Sequence, residues 1–169
     1  GLYARYNRAP SAYYNNTFHS NSTGYTNYAA YIFNTSSSYN TKLYNNIFSK
    51  SETRGTLIYN YRPAYADMDY NLYHAPGTGT MFYQGSPYYT TNSFEAWKSK
   101  TNKDNNSLFH NPGYTDAAAK NLLPVASNPD AWSVNGRGKH IATDSMDVQG
   151  NPRARPPQVG VPNLGAVEL

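Results

Sequence analysis

Short apolar runs followed by small polar residues recur along the first third of the chain. The clearest run, LYNNIFSK, covers Leu43 to Lys50, and aromatic residues recur at equal spacing at Phe18, Phe33 and Phe48. Runs of this length predict β-strands, and the Asn, Ser, Thr and Gly after them predict turns. Because one such unit cannot bury its own apolar side chains, the repeat predicts units that stack along an axis, with Asn side chains aligned between neighbours. The pattern therefore predicts an all-β chain folded as a parallel β-solenoid.

The rest of the pattern divides the chain at residue 114. We expect β-helix rungs over residues 1–114, interrupted at 74–91 by an excursion loop, because this stretch contains three Gly and two Pro. A short helix over 93–100 is predicted, since Ser93 can cap it and Phe94 and Trp97 fall on one helical face. Residues 115–169 are rich in Pro, Gly and Asn, which predicts an irregular cap packed on the solenoid.

Composition narrows the class of protein. Only 14% of the 169 residues are charged, which argues against disorder through charge repulsion, and 18 tyrosines supply much of the apolar surface. The absence of cysteine excludes disulfides and thiolate metal sites. No apolar run reaches the about 18 residues of a membrane-spanning helix. The net charge of +4 comes without a nucleic-acid motif, so we expect no nucleic-acid partner.

The first residues predict a strand at the open end of the stack. Leu2, Tyr3, Arg5 and Tyr6 resemble the last strand of a rung whose other strands are not in this sequence. An uncapped rung exposes the edges of its sheets. We therefore expect an upstream fragment of the same precursor, or another protein subunit, to cover the N-terminal end.

Five segments follow one another in a recognisable order: the NNIFS rung, Asp69–Tyr73, the helix with Phe94 and Trp97, Asp147–Arg153 and Leu164–Glu168. This order resembles the C-terminal half of bacterial right-handed parallel β-helix proteins of the pectate-lyase-like kind. That family commonly ends with a D-x-x-G-x-P-R segment and an I-G-A-x-E segment, which the last two segments match, with Leu164 in place of Ile. The chain departs from the family at Ser127–Trp132, where a compact S-P-A-I-D segment is usual.

The resemblance implies a right-handed solenoid from an exported protein of a Bacteroidota-like bacterium. Proteins of this kind include adhesins, carbohydrate-binding proteins and polysaccharide lyases, and many are attached to the cell surface. A fold alone does not name a reaction. The resemblance therefore implies an extracellular or cell-surface location without choosing between binding and catalysis.

The first functional hypothesis is a non-catalytic module for glycan or surface adhesion, or for assembly with partner chains. Aromatic side chains contact sugar rings, and cations pair with the carboxylates or sulfates of acidic polysaccharides. The same rings could instead support strand packing. The candidate ligand-binding residues are Tyr83, Tyr88 and Tyr89 on the predicted loop, with Tyr59, Tyr61 and Tyr65 near its base.

The alternative hypothesis is a polysaccharide lyase or glycoside hydrolase that acts on acidic polysaccharide. A lyase needs a base and a group that neutralises the uronate, for which Arg54, Arg62, Tyr65 and His74 are the local candidates. Asp67 and Asp69 form the best carboxylate pair, because alternate residues of a strand share a side at about 7 Å. Asp near a strand end also serves ordinary turns, so we expect binding rather than catalysis.

Other sites have weaker support. The histidines at 19, 74, 110 and 140 lack the spacing of a zinc motif, and we interpret each as a surface or turn residue. No cofactor is expected, although Asp144, Asp147 and Asn151 could offer oxygens to calcium. The sequence Asp144-Ser145-Met146 resembles a short bacterial O-glycosylation motif, which makes Ser145 a candidate for modification.

Overall fold

Among the residues that the structure describes, the regular elements are mostly short strands in parallel sheets, with one short α-helix. The computed structural model describes residues 1–5, 9–24, 28–76, 81–85, 88–91, 93–154 and 160–169, and the side chains of 84–85 and 88–91 lie outside this description. Three parallel sheets, which we name A, B and C, contain most of the strands. The all-β prediction is confirmed at this level.

Sheet A contains five strands, of which the first four are parallel and the last is antiparallel to its neighbour. Up to β10, every third strand of the chain belongs to this sheet; the fifth strand, β11, directly follows β10 and runs antiparallel to it. Its strands are β1 (Leu2–Arg5), β4 (Ala30–Phe33), β7 (Ile58–Asn60), β10 (Phe82–Gly85) and β11 (Tyr88–Thr91).

Sheets B and C are parallel throughout. Up to β10, the chain visits the sheets in the fixed order A, B, C, and each pass adds one strand to each sheet. The strands of sheet B are β2 (Ser11–Tyr14), β5 (Thr41–Tyr44) and β8 (Ala66–Asp69). Those of sheet C are β3 (Thr17–Ser20), β6 (Ile47–Lys50), β9 (Leu72–His74) and β12 (Leu108–Phe109).

The repeat inferred from the equal aromatic spacing does not match the structure. Phe18 pairs with Phe48 in sheet C, and the residues that follow them, His19 and Ser49, are 30 positions apart. Phe33 lies in sheet A, where it stacks on Tyr61 at a centroid distance of 4.3 Å. Because one pass contains three strands, the shorter aromatic interval joins residues of different sheets.

The core lies between the three sheets, which each turn alternate residues inward. Ile32 and Ile58 come from sheet A, Leu43 and Met68 from sheet B, and all are fully buried. Sheet C adds a column of stacked rings, in which the centroids of Phe18 and Phe48 are 5.3 Å apart and those of Phe48 and Tyr73 are 5.6 Å apart. Phe109 of the last strand of sheet C is partly buried and packs against the same core.

A ladder of asparagine side chains runs along the start of sheet C, as the sequence predicted. The Asn16 amide donates to Asn46 Oδ1 at 3.2 Å, and the Asn46 amide donates to Asn71 Oδ1 at the same distance. Each acceptor oxygen also binds the backbone N–H of the preceding asparagine. At the end of the ladder Ser107 Oγ accepts the N–H of Asn71 at 2.8 Å. The ladder therefore satisfies buried polar groups between strands that are distant in sequence.

The residue before each ladder asparagine makes the corner between sheets B and C. Asn15, Asn45 and Tyr70 have φ angles of 55°, 59° and 54°. Asparagine tolerates this left-handed conformation better than most residues, whereas tyrosine rarely adopts it. The repeated Asn-Asn pair therefore places one asparagine at the corner and the next in the ladder.

The segment 74–91 is not a single excursion loop. Its later part forms β10, which pairs in parallel with β7, and β11, which returns antiparallel to β10. The Gly and Pro residues suggested a loop, but Phe82 is fully buried in the core and continues the inward pattern of sheet A. Burial of this aromatic residue outweighs the local turn signals.

The predicted helix is α1, from Phe94 to Thr101. Ser93 caps it by accepting the N–H of Ala96, and Asn102 ends it in the left-handed conformation with φ of 53°. Trp97 is fully buried and stacks on Phe82 with centroids 4.9 Å apart. Helix α1 therefore covers the core where sheet A ends.

The described part of 115–169 is mostly irregular, and it is preceded by the start of a hairpin at Tyr114. Strands β13 (Tyr114–Asp116) and β14 (Asn121–Pro124) pair antiparallel. The later part packs on the outer face of sheet C, where Val134 and Leu164 meet Ile47 and Leu72. The described part of the cap therefore covers the outer face of sheet C, because this face carries the aliphatic residues Ile47 and Leu72.

Removal of the central ladder side chain should destabilise the fold. Asn46→Ala deletes both hydrogen bonds to its amide oxygen and both from its nitrogen, and leaves buried partners unsatisfied. We expect the free energy of unfolding to fall by about 3 kcal/mol, whereas Asn16→Ala at the ladder's edge should cost about 1 kcal/mol. Urea denaturation of both variants measures the difference. Equal losses of unfolding free energy in the two variants would contradict the conclusion that Asn46 makes more ladder hydrogen bonds than Asn16.

Candidate functional site

Four tyrosines form a stacked column on the outer face of sheet A. Tyr3, Tyr31, Tyr59 and Tyr83 occupy the same register position in β1, β4, β7 and β10. Successive ring centroids are 4.9, 4.5 and 4.4 Å apart, with interplanar angles of 13° to 16°. Two of the six predicted ligand-binding tyrosines, Tyr59 and Tyr83, therefore lie in direct contact.

Two further predicted tyrosines, Tyr61 and Tyr65, lie against Arg62. Tyr61 follows β7 and stacks on Phe33, and the Arg62 guanidinium lies 5.5 Å from the Tyr61 ring and 5.6 Å from the Tyr65 ring. Tyr88 and Tyr89 belong to β11, but their side chains lie outside the described part of the chain. We name the set Tyr3, Tyr31, Tyr59, Tyr61 and Tyr83 with Arg62 the tyrosine face.

The stacking decides which part of each ring can meet a ligand. Neighbouring rings cover one another's faces within the column, so the phenol edges, and not the ring faces, point away from it. Tyr3, which is 62% exposed, lies at the end of the column. Burial, followed by the neighbouring tyrosines, raises the pKa of Tyr59 well above its ordinary value, so its hydroxyl stays protonated at physiological pH. The face therefore offers a row of hydroxyl donors and acceptors beside a cation.

The carboxylates proposed for hydrolysis are engaged in structural contacts. Asp67 and Asp69 lie two residues apart in β8, as predicted, and Asp67 accepts the Tyr44 hydroxyl. Asp69 accepts the backbone N–H and the side-chain amide of Asn106 at 2.7 and 2.8 Å, which ties sheet B to the turn before β12.

The other residues proposed for catalysis are distributed over separate parts of the fold. His74 ends β9 in sheet C, whereas Arg62 belongs to the tyrosine face. Arg54 precedes β7, and its carbonyl accepts the ammonium of Lys50. A cavity beside His74 is lined by neither these arginines nor Asp67 and Asp69 among the described residues.

The oxygens suggested for calcium already accept hydrogen bonds. Asp147 accepts the N–H groups of Gln149, Asn151 and Glu168 at 2.7 to 2.9 Å, and these donors outweigh its burial and lower its pKa to about 2. Asp144 accepts the Asn15 amide. Within the described ranges no group of three or more His, Asp or Glu is arranged to hold a metal ion. Ser145 is partly buried, and its modification stays a prediction.

Three of the four histidines lie on one outer column of sheet C, which the sequence analysis missed. His19 pairs with Ser49, Ser49 pairs with His74, and His110 donates its backbone N–H to the carbonyl of Tyr73 beside His74. Each follows the inward aromatic residue of its strand. An alignment of TFH, IFS, LYH and LFH would have revealed this column.

A cavity of about 230 Å³ lies between this column and the hairpin. One side is formed by His19 and His74, and the hairpin contributes Tyr114, whose ring meets the His19 ring edge-on at 6.0 Å. Both His19 ring nitrogens are engaged, at 2.9 Å to Ser49 and 2.9 Å to Ser51. The full set that lines the cavity is His19, Lys50, Ser51, His74, Pro76, Asn111, Gly113, Tyr114, Ala117 and Asn128. We name it the histidine cleft.

His74 is the least constrained polar group of the histidine cleft. No hydrogen bond joins its imidazole to another group in the described part of the chain, and the ring is only partly buried. Burial lowers its pKa, as do His110 and His19, while Asp130 opposes the shift. His74 is therefore a neutral imidazole at physiological pH, open to a ligand.

Comparison of the chain with protein-family models, curated proteins and solved structures gave no significant match. The resemblance to pectate-lyase-like proteins therefore stays a prediction. Among the described residues, no helix has the length and apolar character needed to cross a bilayer.

The His74 imidazole should titrate below pH 6.5 in the folded protein, because partial burial disfavours its charged form. A folded pKa below the unfolded value contributes stability above that unfolded value, and this contribution is lost as the pH falls through the folded pKa. Ring-proton NMR shifts measured against pH give the folded pKa directly. His74→Gln should remove this component of the acid dependence of unfolding, and a His74 pKa above 6.5 would contradict the account.

Proposed function

We propose that this chain is a non-catalytic extracellular or cell-surface module that binds glycan through the tyrosine face or assembles with partner chains. We further propose that its three parallel sheets form a right-handed parallel β-helix of the pectate-lyase-like kind. The observation that supports the binding proposal is the continuous row of phenol edges from Tyr31 to Tyr83, together with the Arg62 cation over the ring of Tyr61, two residues after Tyr59.

The chemistry of this row suits acidic polysaccharide. Each pass of the chain adds one phenol hydroxyl, so the donors and acceptors repeat at the strand spacing of about 4.8 Å. A polymer of sugars offers hydroxyl groups along its length, and Arg62 can pair with a carboxylate or sulfate. Because stacking holds the rings in place, binding costs little side-chain entropy.

The same arrangement supports assembly at the edge formed by β1, β2 and β3. Each of these strands is the edge strand of its sheet, so its main chain can pair with a further strand. Pairing of this kind joins chains through backbone hydrogen bonds. We propose an upstream fragment or another protein subunit as the partner at this edge.

The alternative function is a polysaccharide lyase or glycoside hydrolase that acts on acidic polysaccharide. Its specific support is His74, a neutral imidazole that is free to accept a proton in the histidine cleft. Hydrolysis by Asp67 and Asp69 is less favoured, since hydrogen bonds already engage both carboxylates. Unsaturated or reducing sugar ends, formed during incubation with acidic glycans and absent with His74→Gln, would support this alternative.

Removal of two hydroxyls from the tyrosine face should weaken glycan binding without unfolding the protein. The double substitution Tyr59→Phe and Tyr83→Phe keeps the stacked rings but deletes two phenol hydroxyls. If each makes one hydrogen bond to the glycan, affinity for an acidic polysaccharide should fall about tenfold or more. Affinity electrophoresis in gels that contain pectin, alginate or heparin measures the change.

The matched control is Tyr14→Phe, which removes a hydroxyl from a tyrosine of sheet B, where the tilted rings of Tyr14 and Tyr44 lie 6.0 Å apart. This variant should bind as the unmodified protein does. Deletion of 74–91 is a poorer test, because it removes β10 from sheet A. Unchanged binding by the double variant, with a normal unfolding curve, would exclude the tyrosine face as the glycan site.

A further inference from the structure

The histidine cleft lies on sheet C, a different sheet from the tyrosine face, and its chemistry is distinct. Its described lining contains two imidazoles, the Ser51 hydroxyl and the side chains of Asn111 and Asn128, but no carboxylate. The described lining itself contains no acidic side chain that would repel an anion. Asp130, whose charge acts on His74, lies outside this lining and accepts from His110 and Asn111. Besides the two imidazoles, the described lining includes the ring of Tyr114, whose hydroxyl bonds Ser49 at 3.0 Å.

The size of the cleft limits the ligand. Sites for drug-sized molecules occupy about 300 to 1,000 Å³. The volume of about 230 Å³ is smaller, which suits one sugar ring and excludes the enclosure of an oligosaccharide. A ligand of this size can reach the free His74 imidazole from the open side of the cleft.

We propose that the histidine cleft binds a single carboxylate-bearing sugar residue, with the protonated His74 imidazole as the partner of the carboxylate and the neighbouring amides as partners of the hydroxyls. A hydrogen bond between an imidazolium and a carboxylate is charge-assisted and stronger than one between neutral groups. This inference concerns a second site and does not depend on binding at the tyrosine face.

The charged groups around His74 make this binding dependent on pH. His19 lies beyond Ser49 on one side, His110 lies on the other, and Asp130 accepts from His110 at 3.0 Å. The remaining titratable groups of the lining are Tyr114 and Lys50, whose ammonium donates to the carbonyl of Arg54.

In the free protein, partial burial lowers the pKa of His74 below its ordinary value and so favours the neutral ring. A bound carboxylate favours the charged ring, so binding is coupled to proton uptake by His74 and strengthens as the pH falls. The carboxylate of a sugar acid stays ionised down to about pH 4. Binding should therefore be strongest between that pH and the folded pKa of His74.

The experiment is a titration of the full chain with glucuronate, glucose and acetate at pH 5.5 and at pH 7.5. Calorimetry measures the affinity, and the NMR signals of the histidine rings report the protonation of each ring. We expect glucuronate to bind about tenfold more tightly at pH 5.5 than at 7.5 and to raise the His74 pKa. Glucose should bind at least tenfold more weakly at pH 5.5, because it has no carboxylate. Acetate should also bind more weakly, because it cannot contact the amides.

Two variants test the assignment to this cleft. His74→Gln should weaken glucuronate binding about tenfold at pH 5.5 and abolish the pH dependence. The substitution Ser51→Asp, at an exposed residue of the lining, places a negative charge at the cleft. It should also weaken glucuronate binding without disturbing the core. The matched control His140→Gln changes an exposed histidine that does not line the cleft and should leave binding unchanged.

Several outcomes would overturn the proposal. Equal affinity for glucose would exclude recognition of the carboxylate, and equal affinity for acetate would exclude recognition of the sugar ring. Binding that is insensitive to both His74→Gln and Ser51→Asp would place the ligand elsewhere. Because the double tyrosine variant retains an intact histidine cleft, its glucuronate binding separates a failure of this site from a failure of the tyrosine face.

Discussion

The buried ladder of Asn16, Asn46 and Asn71 is the interaction on which the register of the sheets depends. Asn46 accepts from Asn16 and donates to Asn71, and the amide oxygens of Asn46 and Asn71 each also accept a backbone N–H. A shift of one residue would place these polar groups against the aliphatic neighbours of sheet C, at the cost of unsatisfied buried amides. The aromatic column of Phe18, Phe48 and Tyr73 lies two positions further along, so the same register aligns its rings.

The correct register has different consequences on the outer faces of sheets A and C. On sheet A it aligns four tyrosines, which cover one another's faces and leave their hydroxyl edges in a row. On sheet C it aligns His19, Ser49 and His74. The tail covers the aliphatic start of sheet C through Val134 and Leu164, and Tyr114 at the hairpin closes one side of the histidine cleft. Both candidate sites thus follow from one repeated alignment.

The sequence predicted the parts of the fold that local patterns encode. The strands around Phe48, the capped helix at Phe94 and the alignment of asparagines between units were all foreseen, because each depends on a few adjacent residues. The length of one pass was not predicted correctly. The equal spacing of aromatic residues grouped Phe18 with Phe33, which lies in another sheet. The strand β10 was missed because the surrounding Gly and Pro residues concealed the buried Phe82.

The candidate sites were harder to predict, because they depend on which strands become neighbours. Tyr59, Tyr61 and Tyr83 were identified, but the edge-on presentation of their rings follows from stacking between passes. His19, His74 and His110 are far apart in sequence and have no motif spacing. Only the pairing of β3, β6, β9 and β12 brings them to one column.

The most direct test of this account is a measurement of proton contacts between aromatic rings by nuclear Overhauser spectroscopy on protein with labelled Phe and Tyr. The register set by the asparagine ladder requires contacts from Phe18 to Phe48 and from Phe48 to Tyr73, whose ring centroids are 5.3 and 5.6 Å apart. Phe33 should instead contact Tyr61, at 4.3 Å. A contact between Phe18 and Phe33 would show that the shorter aromatic interval is the true repeat, and would contradict the register, the tyrosine face and the histidine cleft together.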